Sequence, residues 1–574
     1  MDRRVRFSKA LVALAAVAFV AGTLPAQTGT TGIPTDWSHH HLVFSSPGTL
    51  QQAEQSGTVA KWLSVNTNPR YAFQQLTRYS ASAAADSAGP LRTRLHRDWN
   101  VALGSGGTVG AGNYPAKYSL RFGASCGDYV VFNTGLPGSA SQATVMALTN
   151  LYSGCPSVPT AAWAYNTATG DRVVTSVALS AAGDQIAFIS TGNDSRAWLN
   201  VLRFESGQGS ASGSPASPAT STSSGPVYAA CKNSTGSCLL RLEFANGAND
   251  TTSSPFYDYT PGQDRLWAGD AKGCLHEFTG VFLGAPAEAG APWPLKVTGD
   301  NTYELGSPVY DGSAYIFVGS VNGRGRLYSV TAAGVLNGVS RQLGDRPGIV
   351  DAPLVDGTAG TVYVSVSNDG SSNCAGGNAC SVVVQFSTAF TSGSGESGTP
   401  VQVGVAATSN ANIAMYSGAF DNAYFTSSSG AGPSGGLWVC GNTGGGSSGA
   451  GNPILYKIGI VANGMDTATA AATLTSGGAA CSPVSEVFSN SHDYLFLSVT
   501  AGGDRTGCTG ACVYNFDVTN SIPSNAIAGF ASTGGSSAIA VDNSTVTGAI
   551  QGAEIYFTPL STGYAILASQ APLN

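Results

Sequence analysis

The chain runs to 574 residues, has a net charge of −7 with only 10% charged side chains, and contains 75 glycines and 11 cysteines. Such sparse, slightly acidic charge excludes a nucleic-acid binder, whose affinity comes from Lys and Arg neutralising phosphates. Glycine without a Gly-X-Y period excludes a collagen-like rod.

Residues 1–27 read as a secretory signal peptide. "MDRRVRFSK" is basic, "ALVALAAVAFVAG" is apolar, and "TLPAQ" offers small residues for cleavage near Ala26 or Gln27. The apolar run is shorter than the roughly 20 residues of a membrane span, and no later stretch is long enough. The mature chain is therefore expected outside the cytoplasm, extracellular or periplasmic, with no membrane span. Loss of the leader removes Arg3, Arg4, Arg6 and Lys9 against Asp2, which makes the net charge three units more negative than −7.

Residues 28–96 are predicted to be a docking segment, too small to hold a core of its own. "TDWSHHHLVF" places three of the six histidines at His39, His40 and His41. In an extended strand successive side chains alternate faces, so His39 and His41 would share one side. Two histidines can chelate a metal, but a firm site needs a third or fourth ligand, and the spacing of His96, His276 and His492 predicts none. The competing reading is a polar docking strand flanked by Trp37 and Phe44. Two short helices are expected next. Val59, Trp62 and Leu63 mark the first within "SSPGTLQQAEQSGTVAKWLSV" (45–65); Tyr71, Ala72, Leu76 and Tyr79 mark the second within "NPRYAFQQLTRYSASAA" (68–84). "RTRLHR" (92–97), the one basic cluster, reads as a solvated stretch.

From residue 97 to 574 the chain repeats. "SSPFYDYTPGQDRLWAGDAKGCLHEF" (253–278) and "GSPVYDGSAYIFVGSVNGRGRLYSV" (306–330) share one pattern with "DAPLVDGTAGTVYVSVSND" from 351 and "CSPVSEVFSNSHDYLFLSV" from 481. Small residues and a proline lead to an acidic residue and a turn, and two alternating strands follow. Weaker copies place Tyr118, Val177, Pro255, Pro308, Pro353, Gly418, Pro483 and Ile539 at equivalent positions, roughly 60 residues apart. Period-two alternation and Gly/Asn/Ser turns predict an all-β fold. Further short strands such as "AWAYNT" (162–167) bring each unit to four, the blade of a β-propeller, with about eight blades or alternatively seven. The last unit shows three strands, so "RDWNVALG" (97–104) is expected to complete it. The low-complexity insertions at 207–226 and 441–453 are expected to bury nothing and stay flexible.

All eleven cysteines follow the leader, and in an exported protein they predict bridges. The pairs are Cys126–Cys155, Cys231–Cys238, Cys374–Cys380, Cys440–Cys481 and Cys508–Cys512, which leaves Cys274 as a buried thiol. None of the spacings resembles a zinc site.

The repeats, typified by "SPVYDGSAYIFVGSVNGRGRLYSV", resemble the quinoprotein-like and YVTN-type propeller families over about residues 100–574. Over nearly its whole length, "DWSHHHLVFSSPGT" included, the chain also resembles a group of exported propeller proteins of environmental bacteria. The first resemblance implies a fold that hosts unrelated functions; the second brings no activity with it, and implies that the histidine run is native.

No cofactor is predicted. The paired cysteines and repeated tryptophans of quinone-dependent propeller enzymes are missing from the sequence, as are HExxH and a calcium loop. GxSxG occurs only in Gly/Ser-rich loops (432–436 and 445–449), without a strand-to-helix elbow. One constellation stands out: Asp258, Asp311, Asp356, Asp421, Glu486 and Asp542 end the innermost strands of their units. They either accept backbone N–H bonds in the turns that follow or form an acidic ring around the channel that binds a cation or a basic ligand tail. Two functional classes remain. One is a secreted, non-catalytic binding or structural module that uses propeller faces and loops to hold protein, glycan or another copy of itself. The other is an extracellular lyase, glycosidase or oxidoreductase with its site at the channel mouth.

Overall fold

A computed structural model describes residues 32–36, 38–83, 95–121, 123–250, 252–323, 325–344, 347–370, 379–390, 393–405, 413–427, 431–443, 451–475, 477–547 and 550–570. The N-terminal segment supplies β1 (Ile33–Thr35), the one-turn α1 (Ser38–His41), β2 (Leu42–Val43), α2 (Leu50–Ser56), α3 (Val59–Asn66) and α4 (Pro69–Ala83), and β3 (Leu95–Ala102) follows. β4 (Ala116–Ser119) then opens a succession of antiparallel meanders. Their first strands are β4, Ala178–Leu179, Phe256–Tyr257, Val309–Tyr310, Leu354–Asp356, Ala419–Phe420, Ser485–Ser489 and Ala540–Thr547.

Hydrogen bonding groups the strands into seven sheets among the described residues. One of them has nine strands because it holds two meanders, those opened by Leu354–Asp356 and Ala419–Phe420. They are joined where Gly404 and Val405 pair in parallel with Asn442 and Thr443. The last sheet takes its fourth strand from the other end of the chain: β3 runs antiparallel to Tyr564–Gln570, Leu95 opposite Gln570 and Ala102 opposite Tyr564. This is an all-β repeat of the propeller type.

The small residues that open each unit have a specific task. Tyr114 donates its backbone N–H to the Ser176 hydroxyl, Ser176 donates its own to Ser254, and Ser254 to Ser307, each at 2.9 Å. Unit is tied to unit along the innermost strands by these hydroxyls. Between sheets the core is apolar and aromatic, with Trp163, Trp267 and Trp438 wholly buried. Burying a large apolar side chain contributes about 1.5–3 kcal/mol, so these layers stabilise the stack. Phe132 and Met146 of the first sheet share such a layer with Tyr556 and Leu567 of the last.

The N-terminal segment lies on the innermost strands. β1 pairs antiparallel with β4, Ile33 opposite Ser119, and β2 pairs in parallel with Leu354–Asp356. β1 and β2 thus join the N-terminal segment to the first sheet and to the nine-stranded one. The helical stretch expected over 45–65 is two helices, because Gly57 ends α2 in the left-handed conformation at φ 69°, where a side chain would be strained. Thr49 and Gln52 close the other end of α2 with a capping box.

Two expectations are corrected. The histidine run is not extended: Ser38–His41 is a helical turn, so His39 and His41 do not share a strand face. The insertion at 207–226 is built into the sheets: Ala216 bridges to Tyr165, Thr220–Thr222 pairs in parallel with Cys238–Leu240, and Ser212 is buried. Its small polar residues leave the backbone free to make these bonds. Of the second insertion, residues 444–450 lie outside the described residues.

Candidate functional site

Titratable side chains converge where α4 lies across the innermost strands, around a cavity of about 180 Å³. Three clusters line it or stand behind its walls.

The first surrounds the histidines. His40 stacks on Tyr114 with ring centroids 4.8 Å apart, and His41 is buried with Nε2 3.0 Å from the Ser417 hydroxyl and 3.4 Å from Asp351. Asp351 also accepts the Ser417 N–H at 2.9 Å. Burial alone would raise the Asp351 carboxyl, but His41 and the Ser417 bonds outweigh it and hold it below the usual carboxylate range. Burial, with His41 and Arg70 nearby, lowers His40 to about 3, so its ring is neutral at ordinary pH. The His39 side chain lies outside the described residues. Among the described residues no three His, Cys, Asp or Glu side chains gather as a metal site.

The second cluster joins the first and last sheets. Lys117 of β4 sits 2.7 Å from Asp542 and donates to the Ser119 and Ser544 hydroxyls at 2.6 and 2.8 Å. Asp542 also accepts from the Tyr152 and Tyr556 hydroxyls at 2.7 and 3.0 Å. Behind it, burial raises the Asp128 carboxyl above its ordinary range against the pull of Lys117.

The third holds α4 down. Arg78 pairs with Glu486 at 2.8 Å, donates to Asn422 at 2.6 Å, and lies 3.9 Å over the Phe425 ring. Asp493, on the strand beside Glu486, is pushed up to about 9, first by burial and then by the Glu486 charge. It accepts the Asn422 N–H at 2.6 Å. At the far end of the helix, Arg70 donates to the Tyr257 carbonyl and stacks over Tyr259 at 4.4 Å.

Five of the six acidic positions accept backbone N–H bonds in the following turn or helix start. Asp258 accepts from Thr260 at 3.0 Å, Asp311 from Ser313, Ala314 and Tyr315, and Asp356 from Thr358 and Ala359. Asp421 caps a short helix, α5 (Asn422–Thr426), at the Tyr424 N–H, and Asp542 takes the Ser544 N–H at 3.0 Å. Glu486 instead faces Arg78. Only Glu486 and Asp542 line the cavity.

Four expected bridges are present: Cys126–Cys155, Cys231–Cys238, Cys440–Cys481 and Cys508–Cys512. Cys274 is a free, buried thiol, and Cys374 lies outside the described residues. Reasoning from sequence missed Arg78, Lys117, Tyr114, Asp351 and Asp493. The signal for Arg78 was available, since an arginine inside a helix predicted to dock against β-structure needs a partner. Lys117 and Asp493 are single charged residues within apolar strands, and Tyr114 and Asp351 lie in the segments that lead into the first strands of their units.

No protein-family model and no curated protein matches the sequence. Among solved structures the chain is similar to Sqt1 of Saccharomyces cerevisiae, with 9% identity over 83% of this chain and 98% of that one and a TM-score of 0.46. It is also similar to BamB from Moraxella catarrhalis, with 10% identity over 83% and 100% and a TM-score of 0.42. For the C-terminal WD40 domain of Sif2 the values are 8% identity, 84% and 99%, and a TM-score of 0.44.

Proposed function

We propose that the protein is an exported, non-catalytic binding or structural module that acts through its outer faces and loops on protein, glycan or another copy of itself. In this reading residues 1–27 are a leader, residues 28–96 dock on one face, and residues 97–574 form an eight-bladed ring closed by β3. Export is supported by the four disulfides, which persist in oxidising compartments. Closure is supported by the pairing of β3 with Tyr564–Gln570 and by the apolar layer shared between first and last sheets.

One observation carries the functional reading: α4 lies over the cavity, and the two carboxylates that line it are engaged by the chain's own cations. Glu486 is held by Arg78 and Asp542 by Lys117, so neither is poised as a general acid or base. The cavity, at about 180 Å³, is also smaller than the roughly 300–1,000 Å³ of common ligand pockets, which leaves recognition of a large partner to the outer surface.

The test is a turnover screen of the purified mature chain with glycosides, polyuronates, lactones and dye-linked alcohols, with and without added metals and quinone. No turnover is expected. Activity that survives purification and disappears in Lys117→Ala or Tyr114→Phe overturns the reading in favour of an enzyme at the channel mouth.

A further inference from the structure

His276 lies wholly buried in the strand Cys274–Thr279. Its Nδ1 is 2.6 Å from a carboxylate oxygen of Glu288, and its Nε2 is 3.2 Å from one of Asp270. An ionised carboxylate only accepts, and a neutral imidazole has a single N–H, so two ionised partners are both satisfied only by the imidazolium. His96 and His492 each meet one carboxylate, which a neutral ring can do. The two partners of His276 reach in turn across a sheet boundary. Glu288 accepts the Ala245 N–H at 2.8 Å, and Asp270 accepts the Asn246 side-chain amide at 2.5 Å. Ala245 and Asn246 follow the strand Cys238–Glu243, which belongs to the preceding sheet. The Phe244 ring packs on His276 with centroids 4.1 Å apart, and Ala271 donates its N–H to the Asn249 carbonyl at 2.8 Å.

We propose that His276 is a proton-operated clasp between these two sheets: the imidazolium holds Asp270, Glu288 and the segment 244–249 together, and loss of its proton releases Glu288 and loosens the segment. Glu288 is the partner that leaves. Asp270 is fully buried and also accepts the N–H groups of Lys272 and Cys274 at 2.8 and 2.7 Å. Glu288 is 12% exposed, and its other bond among the described residues is the one from Ala245. The neutral ring keeps its one N–H for Asp270 and turns a lone pair toward the Glu288 oxygen, which repels it. Burial alone would lower His276, but the bonds and charges of Asp270 and Glu288 outweigh it and hold the ring above the usual histidine range. The His276 contribution is therefore fully present below the ordinary value of 6.5 and is lost as pH rises through the raised one. Burial would raise Asp270, but His276 and the backbone and amide donors hold it below the usual carboxylate range, so its contribution is lost as pH falls through that depressed value. The other charges around the clasp are few. Asp250 adds negative charge beside Asp270, and the Cys274 thiol is raised by burial and by Asp270. Lys272 bonds the Asn246 and Gly247 carbonyls, Lys296 bonds those of Lys272 and Asp300, and Glu243 pairs with Arg196. Glu277, the next residue, faces the other side of the strand.

The experiment is ring-nitrogen NMR of the mature chain with isotope-labelled histidine, followed from about pH 5 to about pH 10. The His276 ring, identified by its absence in His276→Gln, is expected to carry both N–H groups at about pH 7.5, where free histidine is mostly neutral. Hydrogen exchange read by mass spectrometry, corrected for the intrinsic effect of pH, should show the segment 244–249 opening faster as that ring deprotonates. Glu288→Gln separates the clasp from a merely structural contact. Its oxygen still accepts the Ala245 N–H, and its amide N–H meets the lone pair of the neutral ring. In this variant the proton affinity of the ring should fall at least about tenfold, and the alkaline loosening of 244–249 should disappear. Because the same variant identifies the His276 signal by moving it, the test stands even where His276→Gln does not fold. A His276 ring already neutral at about pH 7.5 overturns the proposal. So does exchange of 244–249 that ignores deprotonation, or a Glu288→Gln ring that titrates like the parent's. None of these outcomes depends on whether the cavity beside α4 supports turnover.

Discussion

Arg78 of α4 donates two hydrogen bonds to Glu486 of the strand Ser485–Ser489, at 2.8 and 3.2 Å, across 408 residues of sequence. The side chains are only 13% and 7% exposed, so the pair is a buried one. Removing one partner leaves the other charge uncompensated, which costs about 3–5 kcal/mol. Arg78→Ala is therefore expected to lower stability by about 3 kcal/mol or more and to make α4 the first site of proteolysis. Arg78→Ala combined with Glu486→Gln should recover part of that loss, because no unpaired charge remains. Equilibrium denaturation of the two variants checks both statements. Equal loss in both would show that α4 is held by packing alone.

Asp493 gives the site a dependence on pH. Its carboxyl is raised from 3.8 to about 9, by burial first and the Glu486 charge second. A raised folded pKa means that the folded state keeps a proton the unfolded chain has lost. The contribution to stability is thus fully present below about pH 4 and declines as pH rises through about 9. Asp493→Asn keeps an oxygen for the Asn422 N–H and an N–H donor toward Glu486, and it does not titrate. The variant is expected to match the parent near pH 4 and to exceed it increasingly toward pH 9, as read by urea midpoints across that range. A constant difference between variant and parent at every pH would place the proton elsewhere.

These two contacts mark how far the fold and the site could be read from sequence. The meanders were legible because an opening of small residues, proline and an acidic residue recurs before pairs of short strands and Gly/Asn/Asp turns, and because Ser176, Ser254 and Ser307 in those openings bond the neighbouring units. Four of the five expected bridges were legible from cysteine spacing. The cavity was not. It forms where α4 meets innermost strands from distant units, and no local pattern announces a contact between residues 78 and 486. The histidine run misled for a related reason: three polar aromatic residues carry no periodicity, and Tyr114 and Ser417 settle their conformation through tertiary contacts. The insertion at 207–226 misled because backbone pairing is indifferent to the Ser/Gly composition that suggests a flexible loop.

The disulfides differ in what they constrain. Cys440 and Cys481 are 41 residues apart, while Cys508 and Cys512 are separated by only 4. In the chain-entropy account, closing the longer loop is worth about 4 kcal/mol and closing the shorter about 2 kcal/mol. Cys440→Ser should therefore destabilise the oxidised protein more than Cys508→Ser, by about 2 kcal/mol. Parallel denaturation under non-reducing conditions makes the comparison. The reverse ranking would mean that local packing around Cys508, buried in the core of the sheet opened by Ser485–Ser489, outweighs loop closure.

β3 offers the sharpest test of how the last sheet is completed. It pairs along its length with Tyr564–Gln570, with a register shift between Arg97 and Trp99, and it covers the edge that the last strand would otherwise present. An uncovered edge strand is a template for pairing with other chains. Deleting residues 97–104 is expected to lower the melting temperature of the whole domain in one transition and to promote association at high concentration. A synthetic peptide of residues 95–104 added to the deleted protein should raise the melting temperature again, because the vacant edge has its native partner back. An unchanged melting transition after the deletion would mean that β3 decorates the last sheet without closing it. A drop that the peptide does not reverse would place its contribution in covalent tethering of the N-terminal segment.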